Sequence, residues 1–176
     1  NGDDQWRDNW GDGTQQGLIV NGGALSYPEV GWLADETVLG DNVYHVIYND
    51  QENLDTSVEA ILDGFAIIGG YANSTWPHTS GGGIFNLNQA KRSFRNNLFL
   101  GNRASHGGAV RDTGTGNLTR IAKSCFIANR ADIHGGVYYV SQSAASLVNC
   151  SFIGNHALDS GGALCVYQSP NALVVN

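Results

Sequence analysis

The sequence has no methionine, only three prolines and three cysteines, and no long apolar run. A membrane-spanning helix needs about 20 consecutive apolar residues, so we expect no transmembrane segment in this chain. Cys125, Cys150 and Cys165 fit no zinc or redox spacing, and their odd number gives no disulfide framework. We expect free thiols. Because the chain begins at Asn1 and has no methionine, we also expect a segment processed or excised from a longer protein.

Basic residues are few, with nine Lys and Arg against 16 Asp and Glu, and the net charge is −7. The two signs are unevenly spread. Residues 1–63 hold 13 acids and one base, whereas residues 64–176 hold three acids and eight bases. The acidic half argues against a nucleic-acid platform, so we expect no nucleic-acid partner. The asymmetry is typical of two differently solvated surfaces.

Glycine is abundant, with 24 residues. Glycines recur along the chain at a regular spacing, next to apolar residues. A glycine pair followed by apolar residues recurs at 81–82, 107–108, 135–136 and 161–162. A Phe-x-x-Asn motif precedes the last three pairs, at 99–102, 126–129 and 152–155. Such a constant period indicates stacked units that share one core. With two or three short strands in each unit of about 26 residues and no helical periodicity, the sequence predicts an all-β, right-handed parallel β-helix.

This fold gives the motif residues definite places. We expect Phe99, Phe126 and Phe152 to stack inside the solenoid. We expect Asn102, Asn129 and Asn155 to form a structural ladder at one corner, in the left-handed conformation that asparagine tolerates. The repeats are regular over 81–176, and residues 36–80 look like degenerate coils with strands at 44–48 and 60–68. Residues 1–35 form an N-terminal cap or irregular segment.

The Gly-Gly-Ala-aliphatic and Phe-x-x-Asn motifs together resemble the polymorphic outer-membrane protein repeat of chlamydiae. The repeat also occurs in large secreted β-helix proteins of other bacteria, and residues 36–70 are similar to the lead-in that precedes the repeats there. The resemblance covers residues 36–176. It implies a secreted or cell-surface, extracellular passenger on a parallel β-helix, often an adhesin of the outer membrane. One departure is Val137-Tyr138 after the third pair, which predicts a locally widened rung.

The repeat alignment places basic side chains above one another. Arg103, Arg130 and His156 each follow a ladder asparagine, and we call these three residues the basic edge. In register they would lie about 5 Å apart, which predicts a ligand-binding strip for a glycan or another surface polyanion. The alternative is a set of exposed side chains that extend into solvent, with Asp132 and Asp159 as partners.

Two groups of side chains are candidate metal sites. His106 and His134 stack at a corner between Ser80 and Ser160, but without a third ligand they are typical of structure, so we expect no metal there. The acidic N-terminal segment resembles a calcium loop only loosely, because Trp10 occupies a ligand position. Calcium is the one possible cofactor, and its ligands would come from Asp3, Asp4, Asp8, Asp12 and the turn at Gly13.

No catalytic residues are predicted. Catalysis needs a nucleophile with its base or paired carboxylates, and Asp112, Asp132 and Asp159 occupy different repeat positions. The first hypothesis is therefore a non-enzymatic adhesin-like segment or structural stalk. The alternatives are a carbohydrate-active β-helix enzyme, such as a polysaccharide lyase or glycoside hydrolase, and a fibre subunit that self-associates through open β-helix ends.

Overall fold

The computed structural model describes residues 43–50, 59–88 and 91–175. These ranges contain 18 short strands and no helix. The strands, in chain order, are β1 (Ile47–Asp50), β2 (Glu59–Asp63), β3 (Ala66–Ile68), β4 (Tyr71–Ala72), β5 (Ile84–Leu87), β6 (Lys91–Arg95), β7 (Leu98–Leu100), β8 (Arg103–His106), β9 (Val110–Thr113), β10 (Leu118–Ala122), β11 (Cys125–Ile127), β12 (Arg130–His134), β13 (Tyr138–Ser141), β14 (Ala144–Val148), β15 (Ser151–Ile153), β16 (His156–Ala157), β17 (Leu164–Tyr167) and β18 (Leu173–Val175).

All strand pairing is parallel, and each strand pairs with the equivalent strands of the neighbouring coils. Sheet 1 has the order β1-β5-β9-β13-β17, and sheet 2 has the order β2-β6-β10-β14-β18. Sheet 3 consists of β3-β7-β11-β15, and sheet 4 consists of β4-β8-β12-β16. One coil takes roughly 27 residues. The parallel β-helix predicted from the repeat is confirmed.

Each of the four coils from β1 to β16 has four strands, so the expectation of two or three was wrong. The missed strands belong to sheet 4, and they carry Arg, His and Asp rather than the β-branched alternation that identifies strands in a sequence. The strand predicted at 44–48 is found three residues later, at 47–50 (β1). The strand predicted at 60–68 is split into β2 and β3. Gly64 separates these two strands with a φ of 80°.

The glycine pairs turn the chain from sheet 4 into sheet 1. The first glycine of each pair has a positive φ, as at Gly107 with 62°. In the first three pairs the second glycine lies against the backbone of the next coil. A Cβ on Gly108 would stand 2.3 Å from the carbonyl oxygen of Arg130 and 2.4 Å from that of Gly136. The two positions therefore need glycine for different reasons, conformation in the first and space in the second.

The core is a column of apolar side chains inside the solenoid. Phe99, Phe126 and Phe152 occupy equivalent positions in sheet 3, and their rings stack with centroid distances of 4.6 and 5.4 Å. Ile121 of sheet 2 and Val110 of sheet 1 are fully buried in the same cluster. Cys150 is also buried in this core, and all three cysteines are free thiols.

The N-terminal segment 1–35 with its proposed calcium ligands lies outside the described residues, as do the residues that open the degenerate coils at 36–42. The division of the chain into cap, degenerate coils and regular repeats stays a prediction.

Candidate binding surfaces

The asparagines after sheet 3 form a continuous ladder. The Asn129 Oδ1 accepts hydrogen bonds from the backbone N–H and the side-chain amide of Asn102, at 3.1 and 2.9 Å. The Asn155 Oδ1 accepts the same pair of bonds from Asn129, at 2.9 and 3.0 Å. The ladder asparagines were expected in the left-handed region, and that expectation was wrong. That conformation belongs to the residue before each of them, for example Ala128 with a φ of 53°.

The basic edge is half neutralised in the structure, because one carboxylate pairs with two guanidiniums. Arg103 is only 8% exposed. Its guanidinium donates to the Asp132 carboxylate from Nε at 3.2 Å and from a terminal nitrogen at 3.0 Å. The Nε of Arg130 lies 3.4 Å from the same Asp132 Oδ1. The alternative interpretation named Asp132 as a partner, and Arg103 does pair with it. Arg103 is not extended into solvent, however, because this side chain also packs over the ring of Tyr71 at 5.1 Å.

His156 completes the basic edge in sheet 4, where it pairs in register with Arg130. Its ring is partly buried. Register therefore brings the three predicted residues into one row, but a single carboxylate is shared by the two arginines. Stacked like charges repel, and Asp132 offsets that repulsion.

The corner histidines lie one above the other, as the alignment predicts, but their rings meet edge-on with centroids 5.4 Å apart. The backbone of Ser80 forms a parallel β-bridge with that of His106, and the backbone of Ser160 forms one with that of His134. Burial, Arg111 and His134 together lower the pKa of His106 to about 4. Within the described ranges no group of three or more His, Cys, Asp or Glu could hold a metal ion.

Ser160, His134 and Asp159 meet at this corner, yet their geometry is not that of a catalytic triad. The Ser160 Oγ lies 2.8 Å from the His134 Nδ1, and an Asp159 oxygen lies 3.4 Å from the same nitrogen. A triad needs the serine and the carboxylate on opposite ring nitrogens, so that the carboxylate orients the base that takes the serine proton.

A buried polar cluster inside the solenoid was missed by the sequence reasoning. The fully buried Asp112 accepts a 2.6 Å bond from Asn86 Nδ2 and a second bond from the Tyr138 hydroxyl. Burial raises the pKa of Asp112, while the bonds from Tyr138 and Asn86 oppose that rise. Tyr138 is the residue that departs from the repeat consensus. This departure is the sequence signal that could have identified the cluster.

A second group that the sequence reasoning missed lies on the outer surface of sheet 1. Successive strands place Tyr48, Phe85, Arg111 and Tyr139 in one row. Residues 73–83 connect β4 to β5, whereas three residues, 107–109, connect β8 to β9. This insertion brings Trp76 and His78 over the row. We call the surface the aromatic–histidine face, and it consists of Tyr44, His45, Tyr48, Trp76, His78, Phe85, His106, Arg111, His134 and Tyr139.

The rings of the aromatic–histidine face form two groups, one around Phe85 and one around Tyr139, and Arg111 joins them. Tyr44 stacks on His78 at 5.0 Å, and Trp76 meets Phe85 edge-on at 5.5 Å. The Arg111 guanidinium lies between two rings, 4.3 Å from Tyr139 and 5.9 Å from Trp76. The sequence signal that could have found this surface is the long gap between Ala72 and the glycine pair at 81–82.

The architecture and these surfaces define the class of protein as a parallel β-solenoid built from glycine-pair and Phe-x-x-Asn coils. Residues 149–167 match the family model of the Chlamydia polymorphic membrane protein repeat. The predicted resemblance to this repeat is confirmed, and the repeat is associated with the outer membrane or cell surface. No curated protein and no solved structure matches the chain. No helix among the described residues is long and apolar enough to cross a membrane.

Proposed function

We propose that this chain is a non-enzymatic, adhesive segment of a surface-displayed β-helix protein, secreted and presented outside the cell. The observation that carries the proposal is the polymorphic membrane protein repeat at residues 149–167, set in an unbroken series of parallel coils. Stacked coils form a stiff rod because each coil bonds to the next along its whole length. A rod suits a stalk, and the side chains on its surface supply adhesion.

The side-chain arrangement supports a binding role over catalysis. Asp132 is held by Arg103 and Arg130, Asp112 lies in the core, and Asp159 contacts His134 on the nitrogen that Ser160 also approaches. We expect no turnover of pectate, alginate or glycosaminoglycan, with or without calcium. Turnover that is abolished by Asp132→Ala would contradict this and favour the carbohydrate-active enzyme.

The experiment for surface adhesion uses the full-length protein on the cells that produce it. An antibody against the 176-residue chain should label intact cells, and external protease should remove the label. Beads coated with the chain should attach to epithelial cells, and the soluble chain should compete, whereas albumin-coated beads should not attach. Labelling that needs permeabilised cells, or equal attachment of both kinds of bead, would contradict the proposal.

Polyanion binding at the basic edge stays a prediction. Because Asp132 already pairs with both arginines, we expect heparin binding there to be weak and to fall further with salt. The comparison is between the wild type, the Arg103→Ser/Arg130→Ser variant and Asp132→Asn, which frees the two guanidiniums. Heparin affinity should rise in Asp132→Asn and disappear in the double variant, and equal affinity in all three would show that the edge binds no polyanion.

A further inference from the structure

We propose that the aromatic–histidine face is a glycan-binding site whose sugar rings stack on Trp76 and the neighbouring tyrosines. This inference rests on the proposed adhesive function and names its ligand class. The site is distinct from the basic edge. The rings proposed to stack on sugar lie on β1, just before it and on the insertion before β5, whereas the basic edge occupies the first residues of the strands of sheet 4.

The first argument is the exposure of large rings on a rigid support. Trp76 is 56% exposed, and Tyr44 and Tyr48 are 43% and 40% exposed. Beneath them Phe85 is fully buried although it faces outward, because Trp76, His45 and Tyr48 cover it. The rings that remain accessible are therefore fixed by packing. Insertions on one side of a solenoid commonly form its binding surface.

The second argument is a hydrogen-bond relay that sets the histidine tautomers. His45 Nδ1 lies 2.9 Å from the carbonyl oxygen of Gly81, which only accepts, so this nitrogen carries the proton. The His45 Nε2 must then accept the 3.0 Å bond from the His78 Nδ1. Burial lowers the pKa of His45, which keeps the ring neutral.

The relay leaves a lone pair on the His78 Nε2 that no described residue occupies. The indole N–H of Trp76, in the same insertion, supplies a donor. A pyranose has an apolar C–H face and a rim of hydroxyls that both donate and accept. An aromatic ring with an acceptor and a donor beside it fits both parts of this ligand. The class of ligand is thus a glycan rather than an apolar peptide or a lipid surface.

The charge of the face favours uncharged sugars. Its one permanent cation, Arg111, lies between the rings of Tyr139 and Trp76 and is largely covered. This interaction uses the guanidinium face and holds the two rings in place. A polyanion would need an accessible row of cations, whereas uncharged hydroxyls need only ring faces and single polar atoms.

The test is a titration of the 176-residue chain with three probes after a glycan array. Chitotriose and N-acetyllactosamine represent uncharged sugars, and 3′-sialyllactose represents an acidic one. We expect binding of at least one uncharged probe, with little change between low and physiological salt. Trp76→Ala should weaken this binding about tenfold or more, and Trp76→Phe should weaken it less, because part of the stacking remains.

Two further variants separate the site from general effects on folding. His78→Phe keeps a ring on Tyr44 but removes the Nε2 acceptor together with the bond to His45, so affinity should fall severalfold while the circular dichroism spectrum at the assay temperature stays that of the folded wild type. Tyr167→Ala is the matched control, because Tyr167 is 52% exposed on the last strand of sheet 1 and away from the insertion. It should bind as the wild type does.

The inference is overturned if none of the three probes binds up to about 1 mM, or if a folded Trp76→Ala variant binds as the wild type does. Binding that is confined to 3′-sialyllactose and lost in Arg103→Ser/Arg130→Ser would move recognition to the basic edge and also overturn it. Failure here leaves bead attachment and surface labelling unaffected, so the two proposals can fail separately.

Discussion

Single residues in this solenoid are constrained mainly by the distance between coils. Adjacent parallel strands lie about 4.8 Å apart, and any side chain that points along the axis at a corner meets the next coil. Gly82, Gly108 and Gly136 each face such a neighbour, and a Cβ on any of them would stand under 3 Å from a carbonyl oxygen. Gly162 holds the same repeat position, but its nearest neighbour would be 3.8 Å away.

This difference predicts a strong contrast between two identical substitutions. Gly108→Ala should lower the free energy of unfolding by about 3 kcal/mol or more, because a Cβ cannot fit without moving two backbones. Gly162→Ala should change it by less than about 1 kcal/mol. Urea unfolding followed by circular dichroism measures both. Equal losses would show that close approach of the next coil is not what requires glycine at the second position of the pair.

At the scale of elements, the strands are too short to be stable alone, and two internal columns join them. The asparagine ladder satisfies backbone donors at the corner after sheet 3. The phenylalanine stack fills the interior beside it. Both columns run along the axis, so each coil is stabilised by the coil on either side.

The phenylalanine column gives the second prediction. Phe126→Ala should lower the free energy of unfolding by about 3–5 kcal/mol, because a fully buried ring that stacks on two others is replaced by a cavity. Phe152 is partly buried and stacks on Phe126 within the same column. Phe152→Ala should therefore cost less. Chemical denaturation of the two variants makes the comparison, and a near-neutral Phe126→Ala would count against a packed interior.

At the scale of the whole molecule, four of the five histidines gather on the aromatic–histidine face, although they are far apart in the sequence. The pKa of His106 is lowered from 6.5 to about 4 by burial, by Arg111 and by His134. The folded protein therefore resists protonation of this ring more than the unfolded chain does. The stability that this histidine contributes is complete above pH 6.5 and is lost as the pH falls toward 4.

This linkage predicts a change in pH dependence for one variant. The melting temperature of the wild type should fall more steeply between pH 7 and pH 4 than that of His106→Gln, because glutamine takes up no proton. Buried Asp112 has a raised pKa and acts in the opposite direction, but it is present in both proteins and cancels in the comparison. Parallel curves for the two proteins would show that protonation of His106 is not coupled to folding.

The resemblance and the repeat period were sufficient to predict the parallel β-helix, the interior phenylalanines and the asparagine column. They could not predict the fourth strand of each coil, because Arg103, Ala104, Ser105 and His106 form a strand by pairing with neighbouring coils and have no apolar alternation. They also suggested an open basic strip, whereas Asp132 folds against both arginines.

The sequence by itself determined the coil, because a period of glycine pairs and Phe-x-x-Asn motifs allows only stacking in register. Tertiary structure decided the surfaces. Tyr48 lies in β1, Trp76 in the insertion that leads to β5, and Arg111 in β9 of a later coil, and only parallel pairing at about 4.8 Å brings them together. A periodic pattern specifies which positions lie above one another in successive coils. The aromatic–histidine face, however, is made by side chains that do not repeat and by the insertion that covers them, and no local sequence pattern encodes those contacts.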